Sequence, residues 1–149
     1  MFKFVRKRRE RQRLIASLQE EAKRTRAHLA SQALFAMEHL RQPAQAIWAD
    51  RYSHGYIYGA YAQLIGESLT DDRLADEMIG SGFATFAANA FAIREEDARD
   101  ALAMILARPN ATPTRHAIAD GRADGKQIQQ GLPATLWLAH LAERAAATT

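Results

Sequence analysis

The chain of 149 residues contains no cysteine, which excludes a disulfide framework, a thiolate metal site and a thiol nucleophile. That suits a reducing compartment. No apolar run approaches the roughly 18 residues that a membrane-spanning helix needs. The N-terminus has the positive charge of a signal peptide without its apolar stretch, because residues 14–18 give way at once to Gln19, Glu20 and Glu21. Arg8-Arg9 fails as a twin-arginine signal for the same reason. The expected location is therefore the cytoplasm, with the inner membrane face as a peripheral site. β-Branched residues are scarce and no segment alternates with a period of two, so strands are not expected.

What is present is a globular mixture, 48% hydrophobic and 25% charged, enough for one domain with its own core. Charge is unevenly placed. Lys3, Arg6, Lys7, Arg8, Arg9, Arg11 and Arg13 stand against Glu10 in residues 1–13, a local balance of +6, whereas the whole chain carries +3. The other 136 residues thus sum to −3. A basic arm, residues 1–13, is joined to a mildly acidic body, residues 14–149, and the high pI describes the arm.

The body is organised around the helix that the arm begins. Leu14, Leu18, Ala22, Thr25, Leu29, Ala33, Ala36 and Leu40 recur at steps of four or three and so share one face of a helix over residues 6–41. Their period of about 3.7 is that of a straight helix rather than a left-handed coiled coil. With half of the positions Ala or Thr, the stripe is suited to packing against the protein's own later helices. Such a helix spans about 54 Å at 1.5 Å per residue, against a diameter of about 38 Å for a compact domain of this size. About ten residues should overhang at that rise, and since the stripe starts at Leu14, the basic end is expected to project.

Pro43 ends or kinks this helix. A second helix is expected over residues 52–67, with Asp50 or Ser53 as its N-cap and with Gly55, Gly59, Ala62 and Gly66 as low points where another backbone comes close. Thr70 before Asp71 and Asp72 marks the next start. Leu74, Met78, Ile79, Phe83, Phe86, Ala90 and Phe91 make the most apolar helix, expected to be central, with Gly80-Ser81-Gly82 as a close crossing rather than a break. Another helix starts among residues 94–100 and stops at Arg108-Pro109. Thr112-Pro113 opens a short helix that Gly121 closes, Asp120-Gly121 and Asp124-Gly125 read as loops, and a last helix opens near Pro133. The fold expected is all-α, a single-domain bundle of five or six helices.

Candidate chemistry is sparse. None of the histidines has a second His at i+3 or i+4, and the acid partners nearest in helical spacing are Asp120 for His116 and Glu143 for His140. No metal or other cofactor is expected. The acidic clusters near residues 71–77 and 95–100 lack the alternating ligands of a calcium loop and suit helix starts instead. Trp48, His54, Tyr56, Tyr58 and Tyr61 are either helix-packing aromatics or the lining of a small-molecule or peptide groove. No catalytic constellation emerges.

The basic arm carries the functional expectation. Lys3, Arg6, Lys7, Arg8, Arg9, Arg11 and Arg13 suit an anionic partner, and Phe2 and Phe4 suit insertion into a membrane boundary or a partner protein. The expected role is a non-enzymatic adaptor tethered to a larger assembly or an anionic membrane. The alternative is a nucleic-acid accessory protein that makes non-specific phosphate contacts. Self-association of the arm with the acidic body is a further expectation.

Overall fold

The computed structural model describes residues 2–148, and among these it holds seven α-helices and no strand. They are α1 (Phe2–His39), α2 (Ala44–Ala49), α3 (Arg51–Gly66), α4 (Asp72–Phe91), α5 (Glu95–Ala107), α6 (Thr114–Gln129) and α7 (Leu136–Ala147). The all-α class holds. The helix count exceeds five or six because residues 44–49 form a short helix of their own, with Ile47 1% exposed.

The expected stripe is the buried face of α1. Leu18, Thr25, Leu29, Ala33 and Ala36 are buried, Ala22 and Leu40 partly so, and Leu14 stays exposed. The helix ends before Pro43 because Arg41 takes a left-handed conformation (φ 54°), which brings the Gln42 amide back to the Ala36 carbonyl at 3.1 Å. Asp50 caps α3 by accepting from the Tyr52 amide. At α4 the cap is Asp71, one residue beyond the expected Thr70, and it accepts from the Leu74 amide.

The centre of the bundle is α3 rather than the more apolar α4. Twelve of its 16 residues are buried, against eight of 20 in α4, because α3 is enclosed by α1, α4, α5 and α6. Its most extensive partner is α6, a full helix where a short one closed by Gly121 was expected. Gly121 and Gly125 lie inside it, on the face toward α3, and so do not mark loops. A Cβ on Gly121 would sit 2.1 Å from the Tyr56 carbonyl oxygen, and one on Gly59 would sit 2.3 Å from the Ile118 carbonyl oxygen. No side chain fits between backbones at that approach.

The register of these contacts sets direction. Gly55 meets Ala117, while Gly125 meets Ala60 and Gln63, so α3 and α6 run parallel, and α4 and α5 form the long crossover that a parallel pair requires. In contrast, α1 runs antiparallel to α3. Gln32 bonds to Tyr56, Arg26 lines a groove with Tyr61 and Ile65, and Arg11 lines one with residues 68–71. The continuity of α4 through Gly80 and Gly82 agrees with the expected crossing, since Gly82 packs against the Tyr61 ring.

Replacing Gly121 by alanine forces these backbones apart and is expected to destabilise the protein by about 3 kcal/mol or more. Gly66, which has open space around it, is the control. Its alanine variant should be neutral or stabilising by up to about 1 kcal/mol from helix propensity. Urea unfolding of the two variants checks both.

Candidate functional site

The first turns of α1 are exposed at every residue from Phe2 to Leu14. At 3.6 residues per turn, Lys3, Lys7 and Arg11 share one face, Arg6, Arg9 and Arg13 a second, and Arg8 points to a third. The cations therefore encircle the helix. Among the described residues only Arg6 of these is ion-paired, to Glu10 at 3.4 Å on the surface. At the outer end of this collar, around Lys3, Phe2 is 94% exposed, Phe4 83% and Val5 50%. Aromatic surface left that open is unfavourable in water, by up to a few kcal/mol per ring relative to burial.

The collar does not overhang as far as size alone suggested. Lys7, Arg11 and Leu14 border a groove with the α3–α4 loop, where Asp71 faces them, because that loop extends the bundle along α1. Residues 2–6 lie beyond it. The face carrying Lys7 and Arg11 continues the line of Leu14 and Leu18, so the cations begin where the apolar stripe stops.

The aromatic residues do not form one groove, which corrects that expectation. Tyr56 and Tyr61 are 0% and 1% exposed and belong to the core. Tyr58 is half-buried and borders a different groove, with Asp76 and Arg122. Trp48 packs on His54 (ring centroids 4.1 Å), Phe91 (5.5 Å) and Phe83 (5.9 Å). Only His54 lines the cleft beside it. The physical reason is that α3 is enclosed on nearly every face, so its tyrosines point into neighbouring helices.

What those tyrosines reach is a buried polar layer. Tyr52 donates to Asp120 Oδ2 (2.6 Å), and Tyr56, one turn on, donates to Asp124 Oδ2. Asp124 also accepts from the Leu136 amide (2.9 Å). Gln32 of α1 donates to the Tyr56 hydroxyl (3.1 Å) and accepts from the Leu138 amide (3.1 Å). Two free amides at the start of α7 are thus satisfied by side chains of α6 and α1, in a helix whose own Thr135 supplies no cap. Trp137 donates to Ser53 Oγ at 2.9 Å. At the surface edge Asp50 binds His140 (2.7 Å) and Arg144 (2.8 Å), while Tyr52 stacks on the His140 ring at 3.7 Å. The partner of His140 is Asp50, not the expected Glu143.

Burial, together with these carboxylates, pushes the Tyr52 and Tyr56 hydroxyls well above the usual tyrosine range, so both remain donors. Burial also raises Asp124, outweighing the Tyr56 and Leu136 hydrogen bonds that favour its charged form. For Asp50 the opposite balance holds. Burial raises it, but the bonds from His140, Arg144 and the Tyr52 amide bring it below the ordinary carboxylate value. Burial lowers His54 and keeps its ring neutral.

Sequence reasoning missed Gln32, Asp50 as a clamp, Asp120 and Asp124. One signal was available. Asp120 and Asp124 are four apart, as are Tyr52 and Tyr56, which is the pattern of two facing helices. No group of three His, Asp or Glu among the described residues is placed to hold a metal, and no helix is long and apolar enough to cross a membrane. No family model, curated protein or solved structure matches this chain.

Removing the Asp124 carboxylate by alanine leaves Tyr56 and the Leu136 amide without an acceptor, and is expected to cost about 2–4 kcal/mol at pH 7. Asparagine keeps an acceptor and sheds the buried charge, so Asp124→Asn should lose less than half as much. Because the folded-state value of Asp124 is raised, wild type regains stability as the carboxylate protonates. The asparagine variant therefore compares best with wild type at neutral pH, and that relative standing should fall away toward pH 3. Urea midpoints measured across this range test the sign.

Proposed function

We propose that this protein is a non-enzymatic helical adaptor held at an anionic membrane surface by the basic end of α1, with the bundle as the body that it positions. The observation that supports the reading is an open aromatic pair, Phe2 and Phe4, at the outer end of the basic segment, with Lys3 between them and the other six cations behind. Phosphates of a nucleic acid would use the cations alone. A membrane boundary uses both, because the rings enter the headgroup region while the cations stay at the charged surface, each worth about 1 kcal/mol. Cations stand on three sides of this segment and the remaining side carries only Val5 and Gln12, too little apolar surface to lie flat, so it enters by its end. In a cell the site proposed is the inner membrane face, reached from the cytoplasm.

The test is co-sedimentation with anionic and with neutral vesicles at two salt concentrations, beside binding to a random-sequence duplex. The full chain is expected on anionic vesicles only, more weakly at high salt. Reversing Arg6, Lys7, Arg8 and Arg9 to glutamate should abolish capture without moving the melting temperature, since these side chains are exposed. Replacing Phe2 and Phe4 by serine should weaken capture by vesicles while leaving any duplex binding unchanged. Capture by the duplex in preference to vesicles would replace this reading with the nucleic-acid one, and unfolding on charge reversal would make the arm a structural element.

A further inference from the structure

At the end of the bundle opposite the basic arm lies a cleft of about 510 Å³, within the size range of small-molecule sites. One wall is α5, with Ala101, Met104 and the buried Ile105; the other is the start of α3, with Arg51 and His54; Ala111 and Thr114 close it from the α6 side. Most of this lining is apolar, yet it includes two arginines and no acid, in a body whose net charge is −3 without the arm. Neither Arg51 nor Arg108 is ion-paired among the described residues, and both are exposed. Met104 is 66% exposed, an adaptable apolar side chain at the rim.

His54 bonds through one ring nitrogen to the Trp48 carbonyl, and its Nε2, buried with no partner among the described residues, is then an acceptor that no carboxylate can pair with. His54 therefore serves the cleft as a neutral wall, and the cations at the cleft are the arginines. The parallel direction of α3 and α6 also brings both helix starts, Arg51 and Thr114, to the cleft; the start of α3 is capped by the Asp50 carboxylate, so it is the uncapped start of α6 that adds positive potential to that of the guanidiniums.

We infer that this cleft binds a medium-chain fatty carboxylate, its chain laid along Ala101, Met104 and Ile105 and its head between Arg51 and Arg108. Apolar lining with cations of one sign matches a ligand with one anionic head and an apolar body. A bare inorganic anion would leave the apolar wall unused, and a neutral alcohol would leave the guanidiniums unpaired. Arginine is the suitable cation because its planar fork pairs with both carboxylate oxygens. The inference is independent of the tether, since the arm is at the other end of α3.

Decanoate, kept below its micellar concentration, is titrated into the full chain with decanol and acetate as controls, and binding is followed by amide and methyl NMR. Shifts are expected at Ala101, Met104, Ile105 and His54 with decanoate, and weaker or none with either control. The Arg51→Gln, Arg108→Gln double variant, with unchanged circular dichroism and melting, should bind about tenfold more weakly or worse, as expected when charge-assisted hydrogen bonds are lost. Because fatty anions also meet the basic arm, location decides. Shifts confined to residues 2–13, equal binding of decanol, or a double variant that binds as wild type would each overturn the inference. If that variant unfolds, a Met104→Glu substitution on the exposed rim replaces it, and retained decanoate affinity there would equally overturn it.

Discussion

The contact between the backbones of α3 and α6 is the constraint on which the rest of this structure depends. Two helices can approach until carbonyl oxygens lie about 2 Å from where a Cβ would be only if that Cβ is missing, and Gly59 and Gly121 supply the two gaps. The glycines are unfavourable for each helix alone, by about 1 kcal/mol apiece relative to alanine. They are offset by dense packing along the whole interface. The same register sets Tyr52 opposite Asp120 and Tyr56 opposite Asp124, so packing and the polar layer are consequences of one alignment.

That alignment gives the molecule two different ends. At one, α3 and α6 start together beside the His54 cleft. At the other, α1, antiparallel to α3, runs its basic end beside and then past the α3–α4 loop. Between the ends the polar layer fastens α7, whose uncapped amides are taken up by Asp124 and Gln32. The donors to Asp124 offset its loss of solvent only in part. A partner engaging the basic end would therefore leave the cleft open.

Much of the architecture was legible because helical periodicity survives in single residues. The stripe from Leu18 to Ala36, the Asp50 cap and the continuous α4 all follow from spacing and capping chemistry. Residues 114–129 were not legible, because Asp-Gly pairs are strong turn signals and nothing local distinguishes a turn glycine from one required by a neighbouring backbone. Read with Gly55 and Gly59, the four-residue spacing of Gly121 and Gly125 carries that information, but only once two helices are considered as a pair. The tyrosine cluster was misplaced for a related reason. Spacing puts side chains on faces of a helix, whereas enclosure of α3 on nearly every face is a tertiary fact. The arm was legible in charge and exposure, but its reach was not, since a spherical estimate ignores the loop that runs beside Lys7 and Arg11.

The absence of cysteine allows a direct measurement of the central claim, that the first helix enters an anionic surface by its apolar tip. Single cysteines replacing Phe4 and Gln12, about 12 Å apart along the axis, can each carry a nitroxide label whose collisions with oxygen and with a neutral nickel chelate report depth. On anionic vesicles the account predicts that the label at position 4 is reached mainly by oxygen and the label at position 12 mainly by nickel. Nickel access at both positions equal to that in free solution would contradict it.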